Sequence, residues 1–265
     1  MVIRNIPMVK ISAVIIAFNE EELIGKCLAS LSGIADEVVV VDSFSTDSTK
    51  EICNKFNVRF IEHEFEGYVE QKNYALSFAL NAYVLSLDAD EELSEELKAS
   101  ILKIKNNPEA DGYKINRLTN YCGKWIKHSG WYPDPHVRLF DRSKGKWTGI
   151  NPHDKFRLNP GSRVTRVKGD LYHWYCSSIE EHIEKVNRFS TIMAHEYFKK
   201  GKKTGLFTAV AHKWWRFIRT YIFSAGFLDG YIGHAACSIS AYSSFLKYAK
   251  LRKMNEDVKN SKVVK

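Results

Sequence analysis

The chain has 265 residues, of which 45% are hydrophobic and 13% aromatic, so a folded protein is expected and a disordered chain is excluded. Its five cysteines are scattered without paired metal-ligand spacing, which excludes a disulfide framework and argues against a zinc site. The net charge of +8 suits an anionic membrane or a phosphorylated ligand, and because the basic residues form no single recognition helix we expect no nucleic acid partner.

The N-terminus shows no basic segment followed by a long apolar run and a small-residue cleavage site. We therefore expect no secretory signal. Scattered thiols are typical of a reducing compartment, so the predicted location is the cytoplasm, at the inner face of the cytoplasmic membrane if the protein contacts lipid.

The first hundred residues alternate between apolar runs and segments with helical periodicity. The strand segments are continuously apolar, as expected for parallel strands covered on both faces. The predicted fold class is therefore α/β, with a mostly parallel central sheet flanked by helices. We predict strands at 11–18, 37–41, 58–61 and 83–87, and helices at 20–31, 48–56, 69–80 and after the N-cap Ser94.

The second half is less regular and ends in helices. Short strands are predicted at 113–116, 137–140 and 163–167, separated by polar and aromatic loops of the kind that often carry function. Three further helices are predicted at 178–200, 206–222 and 228–252. We therefore expect one α/β domain over 1–176 and a C-terminal helical extension over 177–265.

Polar side chains follow several of the predicted strands. Asn19, Asp42 and Asp88 all fall at carboxyl ends, where ligands of doubly wound sheets bind. Asp88 and Asp90 are two residues apart, so on an extended backbone they share one side. Two carboxylates at one point suit Mg²⁺ or Mn²⁺ carrying a phosphorylated ligand, although such pairs also occur as solvated turns and helix caps.

Four segments occur in an order that resembles glycosyltransferase family 2, the inverting enzymes with a GT-A fold. The later segments Gly130-Trp131-Tyr132-Pro133-Asp134 and Val137-Arg138-Leu139-Phe140 resemble the branch that contains bacterial lipopolysaccharide-core β-glucosyltransferases. The four ordered segments are Ala17-Phe18-Asn19-Glu20-Glu21, Val41-Asp42-Ser43-Phe44-Ser45-Thr46-Asp47-Ser48-Thr49, Gln71-Lys72-Asn73-Tyr74-Ala75 and Asp88-Ala89-Asp90.

The resemblance implies a UDP-sugar donor bound mainly by residues 1–107, with an acceptor half over 108–176. Asp88 would lie near the ribose, Asp90 would bind Mg²⁺ or Mn²⁺, and Lys72 would reach a phosphate. The chain departs from many members, which carry two consecutive Asp residues where this one has Asp42-Ser43. The implied base and ribose site consists of Ala17, Asn19, Glu20 and Asp42.

An inverting transfer needs a general base for the acceptor hydroxyl. Asp134 is the first choice, because Pro133 and Pro135 restrict its backbone; a turn role is the alternative. Asp154 is the second candidate. Its neighbour His153 is a candidate metal ligand or phosphate contact, and Arg138 would neutralise the diphosphate or brace its loop.

Aromatic and basic residues interleave in the predicted helix at 206–222, as in a helix lying on an anionic membrane. Packing of these aromatics against the catalytic domain is the alternative. The apolar stretch 228–246 contains Asp229 and His234, so a spanning helix is not expected.

The predicted activity is metal-dependent transfer of a hexose, with glucose expected, from a UDP-sugar to a hydroxyl group of a bacterial surface glycan or a lipid-linked precursor such as the lipopolysaccharide core. One alternative is a sugar-1-phosphate nucleotidyltransferase, but no Gly-rich phosphate loop follows the first strand. The other alternative is a noncatalytic protein that binds nucleic acid or a membrane through its positive charge. The sequence carries no signal for the oligomeric state.

Overall fold

The computed structural model describes residues 8–151 and 153–263. The prediction that the N-terminus carries no secretory signal concerns in part residues 1–7, which lie outside these ranges. The predicted α/β class and the C-terminal helical extension are confirmed. Within the described residues, no helix combines the length and the apolar character needed to cross a membrane.

Four parallel strands form the first part of the main sheet, and their order across it is Arg59–Glu62, Glu37–Asp42, Ile11–Ala17 and Tyr83–Asp88. Apolar side chains cover both faces of these strands, which explains their continuously apolar sequence. The helices between them are shorter than predicted: the first begins at residue 24 rather than 20, and the second and third end at residues 53 and 77 rather than 56 and 80. The elements are β1 (Ile11–Ala17), α1 (Ile24–Ser30), β2 (Glu37–Asp42), α2 (Thr49–Cys53), β3 (Arg59–Glu62), α3 (Tyr68–Ser77) and β4 (Tyr83–Asp88).

The sheet continues beyond β4 with antiparallel pairings of β4 with Asp134–Asp141 (β8) and of β8 with Gly112–Tyr121 (β6), so it is mixed. Ser94 caps α4 as predicted, since its hydroxyl accepts a hydrogen bond from the Leu97 amide at 3.2 Å. The elements are β5 (Glu91–Leu93), α4 (Glu95–Asn106), β6 (Gly112–Tyr121), β7 (Lys124–Ile126), β8 (Asp134–Asp141), β9 (Gly145–Ile150), β10 (His153–Leu158) and β11 (Val164–Cys176).

Strands β6 and β11, with 10 and 13 residues, are much longer than predicted. Most of their exposed positions are polar, so these strands lack the unbroken apolar run that marks β1 and β2. Antiparallel strands with one solvated face are therefore harder to recognise from sequence.

The C-terminal part is helical. Helix α5 (Ile179–Lys199) begins after Ser178, whose hydroxyl accepts from the Glu181 amide at 3.1 Å. Helix α6 (Leu206–Phe217) ends earlier than predicted and continues as a π-helical segment, Ile218–Phe223. After a 3₁₀ turn at Gly226–Asp229, α7 (Gly230–Val263) extends beyond its predicted end.

The described chain divides into two compact units. The first comprises residues up to 118, 134–149 and 153–174, and the second comprises 119–133, 175–263 and a short segment that begins at Ile150. The boundary at residue 176 between the α/β domain and the helical extension stays a prediction. The boundary between a donor half that ends at residue 107 and an acceptor half that begins at residue 108 also stays a prediction.

Candidate functional site

The loops that follow β1 and β2 are joined by hydrogen bonds. Asn19 has a positive φ of 54°, which suits asparagine better than most residues. Its amide donates to Ser45 Oγ at 2.8 Å, and its side-chain oxygen accepts from the Thr46 amide at 2.8 Å. The Glu20 amide donates to Thr49 Oγ1 at 2.8 Å. The two loops therefore form one connected rim at the carboxyl ends of these strands.

Asp42 is buried at the end of β2, beside Ala17 at the end of β1. One carboxylate oxygen accepts from the Ser45 amide at 2.7 Å and the other from its hydroxyl at 2.5 Å. Asp42 thus organises the turn that follows its strand. Each carboxylate oxygen can accept a second hydrogen bond, so this arrangement leaves capacity for a ligand.

Asp88 lies between two buried cations. Lys72 Nζ is 2.9 Å from Asp88 Oδ1, and Arg138 Nη2 is 3.0 Å from Oδ2. Burial raises the pKa of this carboxyl, but the charges of Lys72 and Arg138 outweigh burial and hold it well below its usual range. Asp88 is therefore ionised, and two of the three predicted phosphate contacts, Lys72 and Arg138, are anchored to it.

Glu91 is a buried member of the same network that the sequence interpretation missed. Its carboxylate accepts from Arg138 Nη2 at 2.8 Å and from the Asp88 amide at 2.9 Å. Burial raises the pKa of Glu91 above its ordinary value, although the positive charge of Arg138 acts to lower it. Arg138 Nη1 is also buried and has no hydrogen-bond partner among the described residues. A glutamate one residue after the Asp88-Ala89-Asp90 motif was the only available signal.

Asp90 lies beside His173, a second residue absent from the predicted site. Oδ2 of Asp90 is 3.2 Å from His173 Nε2. The contact arises because β5 pairs with β11 in a register that sets Glu91 opposite His173, while the Trp174 amide donates to the Asp90 carbonyl. No local pattern reports such a pairing between distant segments.

Asp154 and His153 occupy the start of β10. Asp154 Oδ2 accepts from Lys72 Nζ at 2.8 Å, so Lys72 bridges two carboxylates. The same ammonium group lies 4.7 Å from the centre of the Trp147 ring, within cation–π range. His153 is exposed beside this cluster.

Asp134, the predicted base, is held by two groups. Arg117, directly opposite on β6, donates to Oδ2 at 2.8 Å, and His136 Nε2 is 2.8 Å from Oδ1. Burial raises the pKa of Asp134, but the His136 hydrogen bond and the Arg117 charge outweigh it and lower the value to about 2. Arg117 Nη1 is also 3.8 Å from Glu91, so Asp134 connects to the Asp88 network.

Trp131, which lies in one of the segments that carry the family resemblance, belongs to an aromatic cluster of the second unit. Its ring meets those of Tyr121 and Tyr175 edge-on, with centroids 5.6 and 5.5 Å apart. His182 completes the cluster and hydrogen-bonds Tyr121 at 3.0 Å. Burial lowers the pKa of His182 to about 4, so it is neutral at physiological pH.

A buried carboxylate, Asp229, holds the loop before Trp131. It accepts hydrogen bonds from the amides of Lys127 and His128 and from the Ser129 hydroxyl, at 3.3, 3.0 and 3.2 Å. The sequence interpretation treated Asp229 only as a break in an apolar stretch. Its role as an anchor follows from contacts about one hundred residues away.

All the predicted site residues lie in the first compact unit. Direct ion pairs connect Lys72, Asp88, Arg138 and Asp154. Among the described side chains, no three His, Cys, Asp or Glu groups converge as a complete metal cage.

Comparison with known proteins finds glycosyltransferases, both in the family model and among the relatives. The model of the family described as glycosyl transferase family 2 matches residues 12–159. An uncharacterized glycosyltransferase of Rickettsia typhi is 33% identical, covering 96% of this chain and 90% of the relative. The lipopolysaccharide core biosynthesis glycosyltransferase LpsC of Rhizobium meliloti is 29% identical, covering 93% of each chain. The crystal structure of S. aureus TarS in complex with UDP is 16% identical, covers 91% of each chain and has a TM-score of 0.48.

Proposed function

Since the chain belongs to glycosyl transferase family 2 and is a glycosyltransferase, we propose that it transfers a hexose, with glucose as the first candidate, from a UDP-sugar with inversion. Its fold is the GT-A fold that the resemblance predicted. The proposed acceptor is a hydroxyl group of a bacterial surface glycan or lipid-linked precursor, and the similarity to LpsC supports the lipopolysaccharide core. We propose a cytoplasmic location, in keeping with five free cysteines.

The nucleoside would bind at the connected rim after β1 and β2. Ala17 and Asp42 supply a buried floor, and the rim around Asn19 and Glu20 is preorganised by hydrogen bonds. A carboxylate such as Asp42 can accept a hydrogen bond from the imide N–H of uracil. Bases that lack this donor cannot form the same hydrogen bond and would bind less tightly. This arrangement supports a UDP donor.

Asp90 and His173 would hold Mg²⁺ or Mn²⁺, with His153 as the further candidate named from sequence. One carboxylate and one imidazole, without a third such group among the described residues, suit a cation that completes its shell with phosphate oxygens. When bound, the cation would offset negative charge on the departing UDP.

Lys72 and Arg138 would act on the donor while paired with Asp88. Their salt bridges fix both side chains, so little conformational freedom remains to be lost when a ligand binds. The unpartnered Nη1 of Arg138 is a buried donor suited to an oxygen of the bound diphosphate or sugar. The need for that partner supports an anionic or hydroxyl-rich ligand.

Asp134 is the proposed general base. It is ionised in the free protein, but the low pKa makes it a weak base while Arg117 and His136 both contact it. Acceptor binding would therefore have to displace or weaken one of these contacts. Asp154, the alternative, is mostly buried and paired with Lys72 at 2.8 Å, which makes it less accessible.

The pairing of Asp90 with His173 at the carboxyl end of the sheet carries the proposal. The test is thermal unfolding of the purified chain with UDP, UDP-hexoses, ADP-glucose and GDP-mannose, each with Mn²⁺, Mg²⁺ or a chelator. A ligand at one hundred times its Kd adds about 2.7 kcal/mol to the free energy of unfolding. We expect metal-dependent stabilisation by UDP-sugars; stabilisation by none of the nucleotides would contradict the proposal.

A further inference from the structure

Exposed aromatic and aliphatic side chains, which together form the aromatic surface discussed below, are concentrated in the helical segments between residues 206 and 231. Phe207 is 86% exposed and Phe223 is 73% exposed, values far from those of core residues. Clustered exposed apolar side chains of this size mark interaction sites in soluble proteins. The surface comprises Leu206, Phe207, Val210, Trp214, Trp215, Ile218, Ile222, Phe223, Phe227, Leu228 and Tyr231.

The order of these residues explains why they remain uncovered. Phe207, Trp214 and Ile218 recur at helical spacing along one face of α6 and its π-helical continuation. The opposite face carries the buried Ala209 and Thr220, and α6 packs against α7. An amphipathic helix of this kind normally buries its apolar face, whereas here that face is exposed.

The same segment is strongly basic. Residues 197–228 contain no Asp or Glu. Lys213 lies on α6 and Arg219 lies on its π-helical continuation, and most of the remaining cations precede α6. The basic residues of the segment are Lys199, Lys200, Lys202, Lys203, Lys213, Arg216 and Arg219.

We propose that the aromatic surface docks on an anionic lipid bilayer, with α6 lying in the plane of the interface. Tryptophan and phenylalanine enter the boundary between headgroups and acyl chains, while long basic side chains reach the phosphate groups. No helix of the described chain can span a bilayer, which fits a surface contact. A second copy of the chain suits the surface poorly, because a symmetric contact would bring two sets of cations together.

The test is binding of the full chain to vesicles of phosphatidylcholine alone and of phosphatidylcholine with phosphatidylglycerol. We expect binding to the mixed vesicles, a blue shift of tryptophan emission, and loss of binding at high salt. Equal binding to both vesicle types, or binding to neither, would overturn the proposal.

Two variants identify the surface. Phe207→Ser/Phe223→Ser removes two exposed rings and should lower the partition coefficient by at least about tenfold, because two large apolar side chains no longer enter the bilayer. Lys213→Gln/Arg219→Gln should lower it by about thirty-fold on anionic vesicles, given about 1 kcal/mol per basic residue near such a leaflet. The matched controls Leu80→Ser and Lys55→Gln/Lys144→Gln change exposed residues elsewhere and should leave binding intact.

Thermal unfolding and stabilisation by UDP separate this proposal from the activity. Each variant should unfold cooperatively and retain wild-type stabilisation by nucleotide, because the changed residues lie outside the proposed site. Sedimentation equilibrium tests whether a second copy of the chain, rather than a membrane, covers the aromatic surface. A stable dimer of the wild-type chain that Phe207→Ser/Phe223→Ser dissociates would show that a second copy covers the surface, and would overturn membrane docking.

Discussion

His173 Nε2 lies 3.2 Å from Asp90 Oδ2 at the point where β5 pairs with β11. This relationship joins the end of a parallel strand to an antiparallel strand from the second half of the chain. It brings an imidazole and a carboxylate together where the proposed metal would bind. It also changes which histidine is the stronger candidate ligand.

Replacing His173 by Ala should weaken metal-dependent stabilisation by UDP. We expect the Mn²⁺ concentration for half-maximal stabilisation to rise at least about tenfold, because one of the proposed protein ligands is lost. Asp90→Ala should abolish the metal dependence. His153→Ala serves as the comparison, measured by the same thermal titration; a larger effect at His153 than at His173 would reverse the assignment.

Asp134→Asn should preserve stabilisation by UDP and Mn²⁺ while transfer to an acceptor falls by about 100- to 10,000-fold, the usual contribution of a general base. The shape of the side chain is conserved, so binding provides the internal control. Rates of transfer and of nucleotide-sugar hydrolysis are measured together. Undiminished transfer would remove Asp134 as the base and leave Asp154 to be tested.

The pH dependence of kcat/KM should reveal what Arg117 and His136 do to Asp134. Both lower its pKa, to about 2, so in the wild-type protein its protonation causes no loss of activity above about pH 4. His136→Leu removes one of these contacts, and the acid limb should move upward by about one pH unit. Arg117→Lys, which keeps the positive charge, is the control. An unchanged limb in His136→Leu would contradict this assignment.

The same carboxyl should affect stability at low pH. Its folded-state pKa is below the unfolded value, so ionised Asp134 stabilises the native protein above about pH 4. That contribution is lost as the pH falls from about 4 through about 2. The free energy of unfolding in urea should fall less steeply between about pH 4 and about pH 2 in Asp134→Asn than in the wild-type chain. The same fall in both proteins would contradict the prediction.

Lys72→Met should destabilise the protein by about 3–5 kcal/mol, because it leaves Asp88 and Asp154 without their shared buried cation. Lys50→Met breaks the exposed pair with Glu62 and should cost less than about 1 kcal/mol. Chemical denaturation measures both. Similar costs for the two variants would mean that the Lys72 bridge contributes little to stability.

The sequence by itself determined the parallel half of the sheet, the N-cap at Ser94, and the placement of Asn19, Asp42 and Asp88 at carboxyl ends. These features depend on apolar runs, capping residues and short-range alternation, all of which are local. The family resemblance is carried by the same segments, and the match over residues 12–159 confirms it.

The tertiary structure alone decided how those residues are paired. His173 meets Asp90 through strand register, Arg117 faces Asp134 across β6 and β8, and Lys72 reaches Asp154 across 82 residues. It also decided that the apolar face of α6 is exposed, since periodicity marks an apolar face without showing what covers it. Register and burial depend on contacts between distant segments, which no local pattern encodes.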